Sequence, residues 1–320
     1  MDFSKVFAPI SSRLEEFEKE FRSVLATDSA IIRDITEHIY GAPGKRLRPA
    51  LLFLTSDNHN ESVKYAALAI ELIHTATLLH DDVIDESRTR RGIETVSHKW
   101  NNLISVLMGD YFFARAFGLL VKADSPRLMA SFARATERVS VGELNQAFYT
   151  GNFEIAEETY LRIIADKTAS LFACSAEAGA ICSGRNGNII ESLKNYGENI
   201  GLAFQITDDL LDLIGETKKT GKTLGSDIRE GWVTLPLIKA LQNDNGNSHN
   251  RFAKMLGGDV KQSDFEDVLS FVRDNGGIEY AEQRARQYVE KAVDILNGLD
   301  GLPMKNALED LANLAAVRDR

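Results

Sequence analysis

Helical periodicity along nearly the whole chain is the feature that most restricts its fold. Apolar residues recur at three- and four-residue steps, and we find no convincing alternation of apolar and polar residues of the kind that marks a half-buried strand. The clearest segments are 6–25, 65–85, 103–123 and 199–216. Helices this long and apolar must pack around a shared core or a cavity. The sequence therefore predicts an all-α fold: a single domain, 1–320, with about a dozen helices around a central cavity.

Two acidic clusters with identical spacing interrupt two of these apolar segments. The first cluster is Asp81, Asp82 and Asp85, and the second is Asp208, Asp209 and Asp212. A single cluster of this kind can be a solvated helix end, but two beside apolar segments would be costly without compensation. Because Mg²⁺ prefers carboxylate oxygens and recruits substrate phosphates, the two clusters predict Mg²⁺ as a cofactor that binds a polyanion.

Basic residues are concentrated in two short segments. One follows the first acidic cluster and contains Arg88, Arg90 and Arg91; the other is "PGKRLRP" (43–49), with Lys45, Arg46 and Arg48. Any one of these residues could be an ordinary surface base. Guanidinium groups bind phosphate bidentately, and a helix start is a natural anion site. Acids and bases together favour a diphosphate ligand over nucleic acid, which would need a broad positive surface.

The overall charge and the cysteines indicate the cellular environment. A net charge of −10 argues against nonspecific nucleic-acid binding and against attraction to an anionic membrane. The N-terminal segment is acidic and does not resemble a signal peptide, and the apolar window 66–79 is too short to span a bilayer. Cys174 and Cys182 are eight residues apart on one predicted helix, too far for a disulfide. We therefore expect free thiols in a soluble, cytoplasmic protein without stable membrane insertion.

The order of the motifs resembles that of the trans-isoprenyl diphosphate synthases. The motifs are "GKRLRP", "ELIHTATLLHDDVIDESRTRRG", "GD" at 109–110, "KTA" at 167–169, "FQITDDLLD" and "GKTLGSD". The resemblance covers about residues 40 to 240. It implies an isoprenoid synthase-like fold, a homodimer, and the Mg²⁺-assisted condensation of isopentenyl diphosphate with an allylic diphosphate.

The resemblance also implies roles for individual residues. Both acidic clusters would bind Mg²⁺, with Asp208 the leading ligand of the second. The isopentenyl diphosphate headgroup would be held by Lys45, Arg48, His74 and Arg91. The allylic diphosphate would contact Arg90, Lys167 and Lys222, and the developing cation would lie near Thr168 and Gln205. Lys167, Thr168 and Gln205 would form the catalytic set. In one departure, Trp232 occupies a position where many relatives have lysine, and Arg229 is the candidate to replace that contact.

Small residues just before the first acidic cluster bear on product length. Ala76 and Thr77 lie five and four positions before Asp81, where short-chain relatives commonly have an aromatic residue. The resemblance therefore implies a product of at least four isoprene units, and we expect six or more. We predict Ile73, Ala76 and Thr77 as walls of the product pocket, with Leu107 and Met108 as candidates for its floor. The alternative is that Ala76 is simply a small core residue.

Four other interpretations remain open from the sequence. A short-chain farnesyl or geranylgeranyl diphosphate synthase would share all the motifs. A terpene cyclase or squalene-type synthase would share the acidic pattern, but the paired basic segments favour chain elongation. An HD-type phosphohydrolase would use His80 and Asp81 but leaves the second acidic cluster unexplained. A non-catalytic subunit of a heteromeric synthase would be expected to have decayed acidic clusters, and here both are intact.

Overall fold

The predicted all-α architecture is confirmed. The computed structural model describes residues 3–42, 44–215, 225–244, 248–256, 262–302 and 304–316. Within these ranges there are seventeen α-helices, three of them only four or five residues long. The first nine are α1 (Phe3–Phe7), α2 (Ser11–Val24), α3 (Ala30–Tyr40), α4 (Leu47–Leu54), α5 (Glu61–Ile84), α6 (Val96–Lys99), α7 (Asn102–Lys122), α8 (Pro126–Tyr149) and α9 (Glu157–Ile164). The others are α10 (Ser170–Cys182), α11 (Gly187–Ile214), α12 (Ser226–Arg229), α13 (Leu235–Asn243), α14 (His249–Leu256), α15 (Gln262–Asp274), α16 (Gly277–Asn297) and α17 (Lys305–Ala316).

Side-chain caps define the starts of the long helices. The side-chain oxygens of Asn60, Asn101 and Asn186 accept backbone hydrogen bonds at the starts of α5, α7 and α11. Ser125 caps α8 in the same way, and Pro126 occupies the first helical position, where no backbone donor is required. Each of these four helices therefore begins at a residue that satisfies an otherwise unpaired backbone N–H group.

The core is built around α5, α10 and α11. Helix α5 packs along α7, while α10 lies between α11, α4 and α8, and α11 also packs along α16. Helix α10 is almost entirely buried, from Ser170 to Ala180. Cys174 is buried within it and Cys182 lies at its end, and both are free thiols, as predicted. The buried apolar side chains form one cluster that extends from α1 to α17, while the single-domain boundary 1–320 remains a prediction.

Two structural features interrupt the helices near the acidic clusters. A π-helical turn, Ala165–Ala169, joins α9 to α10. Strands β1 (Thr89–Arg90) and β2 (Ile93–Glu94) pair antiparallel, a short hairpin that the all-α prediction did not include. The two loop residues between the strands, Arg91 and Gly92, have φ values of 51° and 80°, the left-handed pair that a tight hairpin requires. The hairpin therefore holds the arginines in a fixed geometry.

Helix α7 is notable for its exposed apolar side chains. Within the described residues, it is the one helix whose length and composition would allow it to cross a membrane, with 39% of the relevant window buried. Core helices of soluble proteins pass the same test, so it assigns no membrane location. The exposed apolar residues of α7 and of its neighbour α8 are Leu103, Val106, Leu107, Val121, Val141, Leu144 and Phe148.

Candidate active site

A cluster of basic side chains forms where α4, α5 and the hairpin meet. The pKa of Arg48 is lowered to about 10, chiefly by burial; the negative charge of Glu71 opposes this shift, and the positive charge of Arg91 contributes to it. Burial also lowers the pKa of His74 well below its usual value, and the positive charges of Arg48 and Arg91 add to this effect. The structure thus brings together three of the four residues predicted to hold isopentenyl diphosphate. Like charges held this closely favour the binding of an anion.

Arg48 has an unsatisfied hydrogen-bond donor. Its Nε is buried and has no hydrogen-bond partner, while its guanidinium carbon lies 4.8 Å from the centre of the Phe172 ring. A buried donor without a partner costs free energy, and a charged donor costs more. A phosphate oxygen would satisfy both the charge and the donor.

Gly44 allows the two basic segments to approach each other. A Cβ at this position would lie 2.6 Å from a guanidinium nitrogen of Arg91, so a larger residue would force the arginine to move. The same guanidinium donates a hydrogen bond of 3.4 Å to the carbonyl oxygen of Ala42. The glycine in "PGKRLRP" is therefore a contact point between this segment and the hairpin.

The other two basic residues of that segment have different surroundings. Lys45 is exposed at the start of α4, with its Nζ 5.1 Å from the centre of the Phe3 ring. Arg46 has a left-handed φ of 53° and forms ion pairs of 2.6 Å with both Glu18 and Glu71. Arg46 therefore joins α2 to α5 through ion pairs.

A pocket with about 610 Å³ of empty volume, part of it open to solvent, adjoins the basic cluster. His74, Arg90 and Arg91 line its polar side, and apolar side chains such as Leu78 and Val96 line the rest. The combination of charged and apolar walls fits a ligand with a charged head and an apolar tail.

The first acidic cluster divides into two parts. Asp82 is buried and accepts a 2.6 Å hydrogen bond from Nε of Arg90. Asp81 and Asp85 are partly exposed. Burial raises the pKa of Asp81 to about 7; Lys167 opposes that shift, whereas Glu143 and Asp85 increase it. A cation beside Asp81 and Asp85 would stabilise their charged forms.

The second acidic cluster divides in the same way. Both carboxylate oxygens of Asp209 accept hydrogen bonds, one from the Tyr160 hydroxyl at 2.5 Å and one from Gln205 Nε2 at 2.7 Å. Burial nevertheless raises the pKa of Asp209 to about 7. Asp212 accepts hydrogen bonds from Ser226 and from the backbone N–H of Asp227, and so caps α12. Asp208 is partly exposed.

Asp227 is a fourth carboxylate at the second cluster, which the sequence analysis did not assign. Burial raises its pKa well above the usual value, and the negative charges of Asp209 and Asp212 add to the shift. The available signal was its position as the last residue of "GKTLGSD", one of the motifs that carried the resemblance. Four acids in one place strengthen the case for a cation here.

The donor set fits Mg²⁺ bound together with a phosphorylated substrate. Among the described residues, no three acid, histidine or cysteine side chains are arranged to hold a metal ion by themselves. Mg²⁺ is usually bound through one or two carboxylates, waters and substrate phosphates, so a complete protein cage is not required. Asp81, Asp85 and Asp208 are partly exposed carboxylates that could take part; Asp212 and Asp227 are also partly exposed, but Asp212 already accepts hydrogen bonds at the start of α12.

The predicted catalytic residues lie on or beside the π-helical turn. Lys167 Nζ donates a 2.8 Å hydrogen bond to Glu143 on α8. Thr168 Oγ1 donates to Gln205 Oε1, also at 2.8 Å, and Gln205 in turn donates to Asp209. The structure thus brings Thr168 and Gln205 into contact, and it connects them to the second acidic cluster. Single-turn π-helices occur frequently at functional sites.

Trp232 cannot act as a substitute for a phosphate-binding lysine. Its side chain is buried and stacks on Tyr160, with 6.2 Å between ring centres. Arg229, the candidate replacement, has its guanidinium carbon 5.7 Å from the centre of the Phe265 ring. Lys222, the third predicted allylic-diphosphate contact, lies outside the described residues.

The residues predicted to control product length are only partly where they were expected. Ile73 and Ala76 are fully buried on α5, whereas Thr77 is partly exposed and lies one turn before Asp81 on the same helix face. Met108 is buried, whereas Leu107 is 53% exposed, and both stay predictions as candidates for the pocket floor. The exposed face of an amphipathic helix cannot be distinguished from its buried face when both carry apolar residues.

His80 packs against α7. Its Nε2 lies 3.1 Å from the carbonyl oxygen of Val106, and a Cβ at Gly109 would lie 2.2 Å from the same ring nitrogen. This close contact gives His80 a packing function, which does not support the HD-type phosphohydrolase interpretation.

Comparisons with known proteins identify the family of the chain. The family model "Polyprenyl synthetase" matches residues 29–272. The chain is 35% identical to an all-trans-nonaprenyl-diphosphate synthase (geranyl-diphosphate specific) of Rhodobacter capsulatus, covering 99% of both chains. It is 36% identical to an octaprenyl diphosphate synthase of Escherichia coli, covering 92% of this chain and 93% of the relative. It superposes on a Caulobacter crescentus polyprenyl synthase, crystallised with calcium and isoprenyl diphosphate, with a TM-score of 0.93 and 35% identity over 100% of this chain and 98% of that one.

Proposed function

This chain belongs to the polyprenyl synthetase family and is a prenyltransferase, and we propose that it elongates an allylic diphosphate with isopentenyl diphosphate to a medium- or long-chain polyprenyl diphosphate. We propose a product of at least four isoprene units, and of six or more (thirty carbons or longer). The similarity to an octaprenyl and a nonaprenyl diphosphate synthase supports this range. A short-chain farnesyl or geranylgeranyl product is the second candidate.

The single observation that best supports the proposal is the basic cluster on α4, α5 and the hairpin. Arg48 combines burial, a lowered pKa and an unpaired Nε, and it faces the positive charge of Arg91. We propose that Arg48, His74 and Arg91 hold the diphosphate of isopentenyl diphosphate, with Lys45 closing the site from the exposed start of α4. Because His74 is neutral, it can donate a hydrogen bond to phosphate without adding to the crowded positive charge.

We propose that the allylic diphosphate lies between the two acidic clusters. Mg²⁺, held there through Asp81, Asp85 and Asp208, would neutralise negative charge on the departing diphosphate. Arg90 and Lys167 would donate hydrogen bonds to the same phosphates, and Lys222 is the third proposed contact. Donors fixed in place before the reaction stabilise developing charge more effectively than mobile ones.

In the proposed reaction, the bond between the allylic carbon and the diphosphate oxygen breaks first. The double bond of isopentenyl diphosphate then supplies the electron pair for the new carbon–carbon bond, and a proton is lost to the released diphosphate. Thr168 and Gln205 are proposed to direct their oxygens toward the cation, as their mutual hydrogen bond keeps both side chains in one orientation. The apolar walls would exclude water, which could otherwise capture the cation.

A homodimer is the proposed assembly. Exposed apolar residues concentrate on α7 and α8, including Leu144 at 71% and Phe148 at 79% exposure. Exposed apolar side chains concentrated on two neighbouring helices support an interaction surface. We propose that a second copy covers this face and that the chain does not insert stably into a membrane. Free thiols support a cytoplasmic location, and the net charge of −10 supports the absence of nucleic-acid binding.

The test is incorporation of labelled isopentenyl diphosphate into an apolar, extractable product. Purified protein is incubated with Mg²⁺ and with allylic primers of several lengths, and Mg²⁺ is removed with a chelator in the control. The proposal expects label in the product only when a primer and Mg²⁺ are both present. Hydrolysis of the primer without incorporation of label would contradict it.

A further inference from the structure

Helix α8 contacts the π-helical turn through three of its residues, Arg138, Gly142 and Glu143. Arg138 Nε donates a 2.7 Å hydrogen bond to Asp166, and the same guanidinium pairs with Glu198 on α11 at 2.9 Å. One helical turn later, a Cβ on Gly142 would lie 2.4 Å from the backbone nitrogen of Lys167, so the two backbones are in direct contact. The next residue, Glu143, accepts the 2.8 Å hydrogen bond from Lys167 Nζ. The position of Lys167 is therefore set by α8 through both backbone and side chain.

The ammonium group of Lys167 lies among three carboxylates. Burial lowers its pKa, but Asp81, Glu143 and Asp85 together raise it above the ordinary value. The side chains of Lys167 and Glu143 are 21% and 20% exposed, so both lie at the edge of the site and not in open solvent. Of the three carboxylates, Glu143 is the one with a hydrogen bond to Lys167 in the structure.

The choice of partner matters because the other two carboxylates belong to the first acidic cluster. If Glu143 lost its charge, the attraction of Asp81 and Asp85 for the ammonium would be unopposed. A lysine paired with Asp81 would occupy the carboxylate that a cation needs, and its donors would turn away from a bound phosphate. Glu143 therefore affects both cation binding and phosphate binding without belonging to either acidic cluster.

We propose that Glu143 is a positioning residue that holds the Lys167 ammonium clear of Asp81 and Asp85 and directed at the allylic diphosphate. This inference rests on the proposed function, because it assigns Lys167 to the same diphosphate site. The proposal also implies that Glu143 acts through Lys167, so the effect of Glu143 on diphosphate binding should disappear when the Lys167 ammonium is removed.

The first experiment compares Glu143→Gln with Glu137→Gln. Both substitutions remove one negative charge from α8 at nearly constant volume, but Glu137 is exposed on the surface. Calorimetry measures the binding of inorganic diphosphate at several Mg²⁺ concentrations, and steady-state kinetics measures KM for each substrate. Glu143→Gln should weaken Mg²⁺-dependent diphosphate binding and raise KM for the allylic substrate by about tenfold, the scale of one charge-assisted hydrogen bond. KM for isopentenyl diphosphate and all values for Glu137→Gln should change by less than about twofold.

The second experiment is a double-mutant cycle with Lys167→Met. Lys167→Met alone should weaken diphosphate binding, and adding Glu143→Gln should cause no further loss. The double variant should also need less Mg²⁺ for half-maximal binding than Glu143→Gln alone, since no ammonium competes for Asp81. Equal losses from Glu143→Gln in the presence and absence of Lys167 would overturn the proposal.

Two further measurements keep the result decisive. Circular dichroism tests whether each variant folds. If Glu143→Gln does not fold, the double-mutant cycle with Lys167→Met is repeated with Glu143→Asp, and the same coupling to Lys167 is expected. Because calorimetry uses inorganic diphosphate, the inference is judged even if the wild-type protein makes no prenyl product. In that case the proposed function is contradicted, while the calorimetric binding data still show whether the effect of Glu143 depends on Lys167.

Discussion

At the scale of single residues, hydrogen bonds to individual carboxylate oxygens separate the members of each acidic cluster. Asp82 is bound by Arg90, and Asp209 is bound on both oxygens by Tyr160 and Gln205. Spacing alone gave all six aspartates the same prediction as Mg²⁺ ligands, and that prediction remains untested. Within the first cluster, the contacts favour Asp81 and Asp85 over Asp82 as ligands, because a carboxylate already engaged by the protein has fewer lone pairs for a cation. In the second cluster, Asp208 is proposed as the leading ligand from the family resemblance.

We expect Asp81→Ala and Asp208→Ala each to lower turnover by about 100-fold or more with the fold retained, because each removes a carboxylate from the proposed Mg²⁺ site. Steady-state kinetics over a range of Mg²⁺ concentrations measures the effect, and circular dichroism tests the fold. The matched control is Asp124→Asn, which changes an exposed aspartate between α7 and α8. A folded variant of Asp81 or Asp208 with nearly normal turnover would show that its cluster does not bind the metal.

Arg48→Lys should raise KM for isopentenyl diphosphate by about tenfold or more, with a smaller effect on KM for the allylic substrate. Lysine retains the charge but lacks the second nitrogen with which a guanidinium can bind phosphate. The comparison is Lys167→Met, for which the larger effect should fall on the allylic substrate. Equal effects of both variants on both substrates would contradict two separate diphosphate sites.

At the scale of elements, the sequence predicts where the long helices lie, but it predicts less well which residues pack against them. The long helices were predictable because apolar spacing and caps such as Asn60 and Ser125 act locally. The hairpin at Arg91 and the exposure of Leu107 were not, since each depends on what packs against the segment. Glu143 and Tyr160 carried no local signal, because their partners, Lys167 and Asp209, are 24 and 49 residues away in sequence.

Helix α5 carries the prediction for product length. Ala76→Tyr should shift products toward fifteen or twenty carbons while leaving the first condensation intact, because a bulky side chain about one helical turn before Asp81 would block the growing tail. Ala76 is fully buried, so thermal unfolding is measured in parallel to detect overpacking. Thr77→Phe, at the partly exposed neighbouring position, serves as a second obstruction. Unchanged products from both folded variants would show that the tail does not pass this part of α5.

At the scale of the whole molecule, the exposed apolar face of α7 and α8 predicts self-association. Light scattering should give the mass of a dimer for the wild-type protein. The double variant Leu144→Asp, Phe148→Asp should give a monomer, since two buried charges in the interface would be costly to desolvate. Asn195→Asp, at an exposed position on α11 and outside this face, is the control and should remain dimeric. A wild-type monomer would contradict the proposed assembly.

The most direct test of the central claim is the length of the product made by the wild-type protein. Labelled isopentenyl diphosphate, Mg²⁺ and a short allylic primer are supplied, and the dephosphorylated products are separated by chain length. The predicted result is a dominant product of six or more isoprene units, all of them in the trans configuration. A dominant fifteen-carbon product would contradict long-chain elongation and the importance of Ala76, and the absence of any elongated product would contradict the proposed function itself.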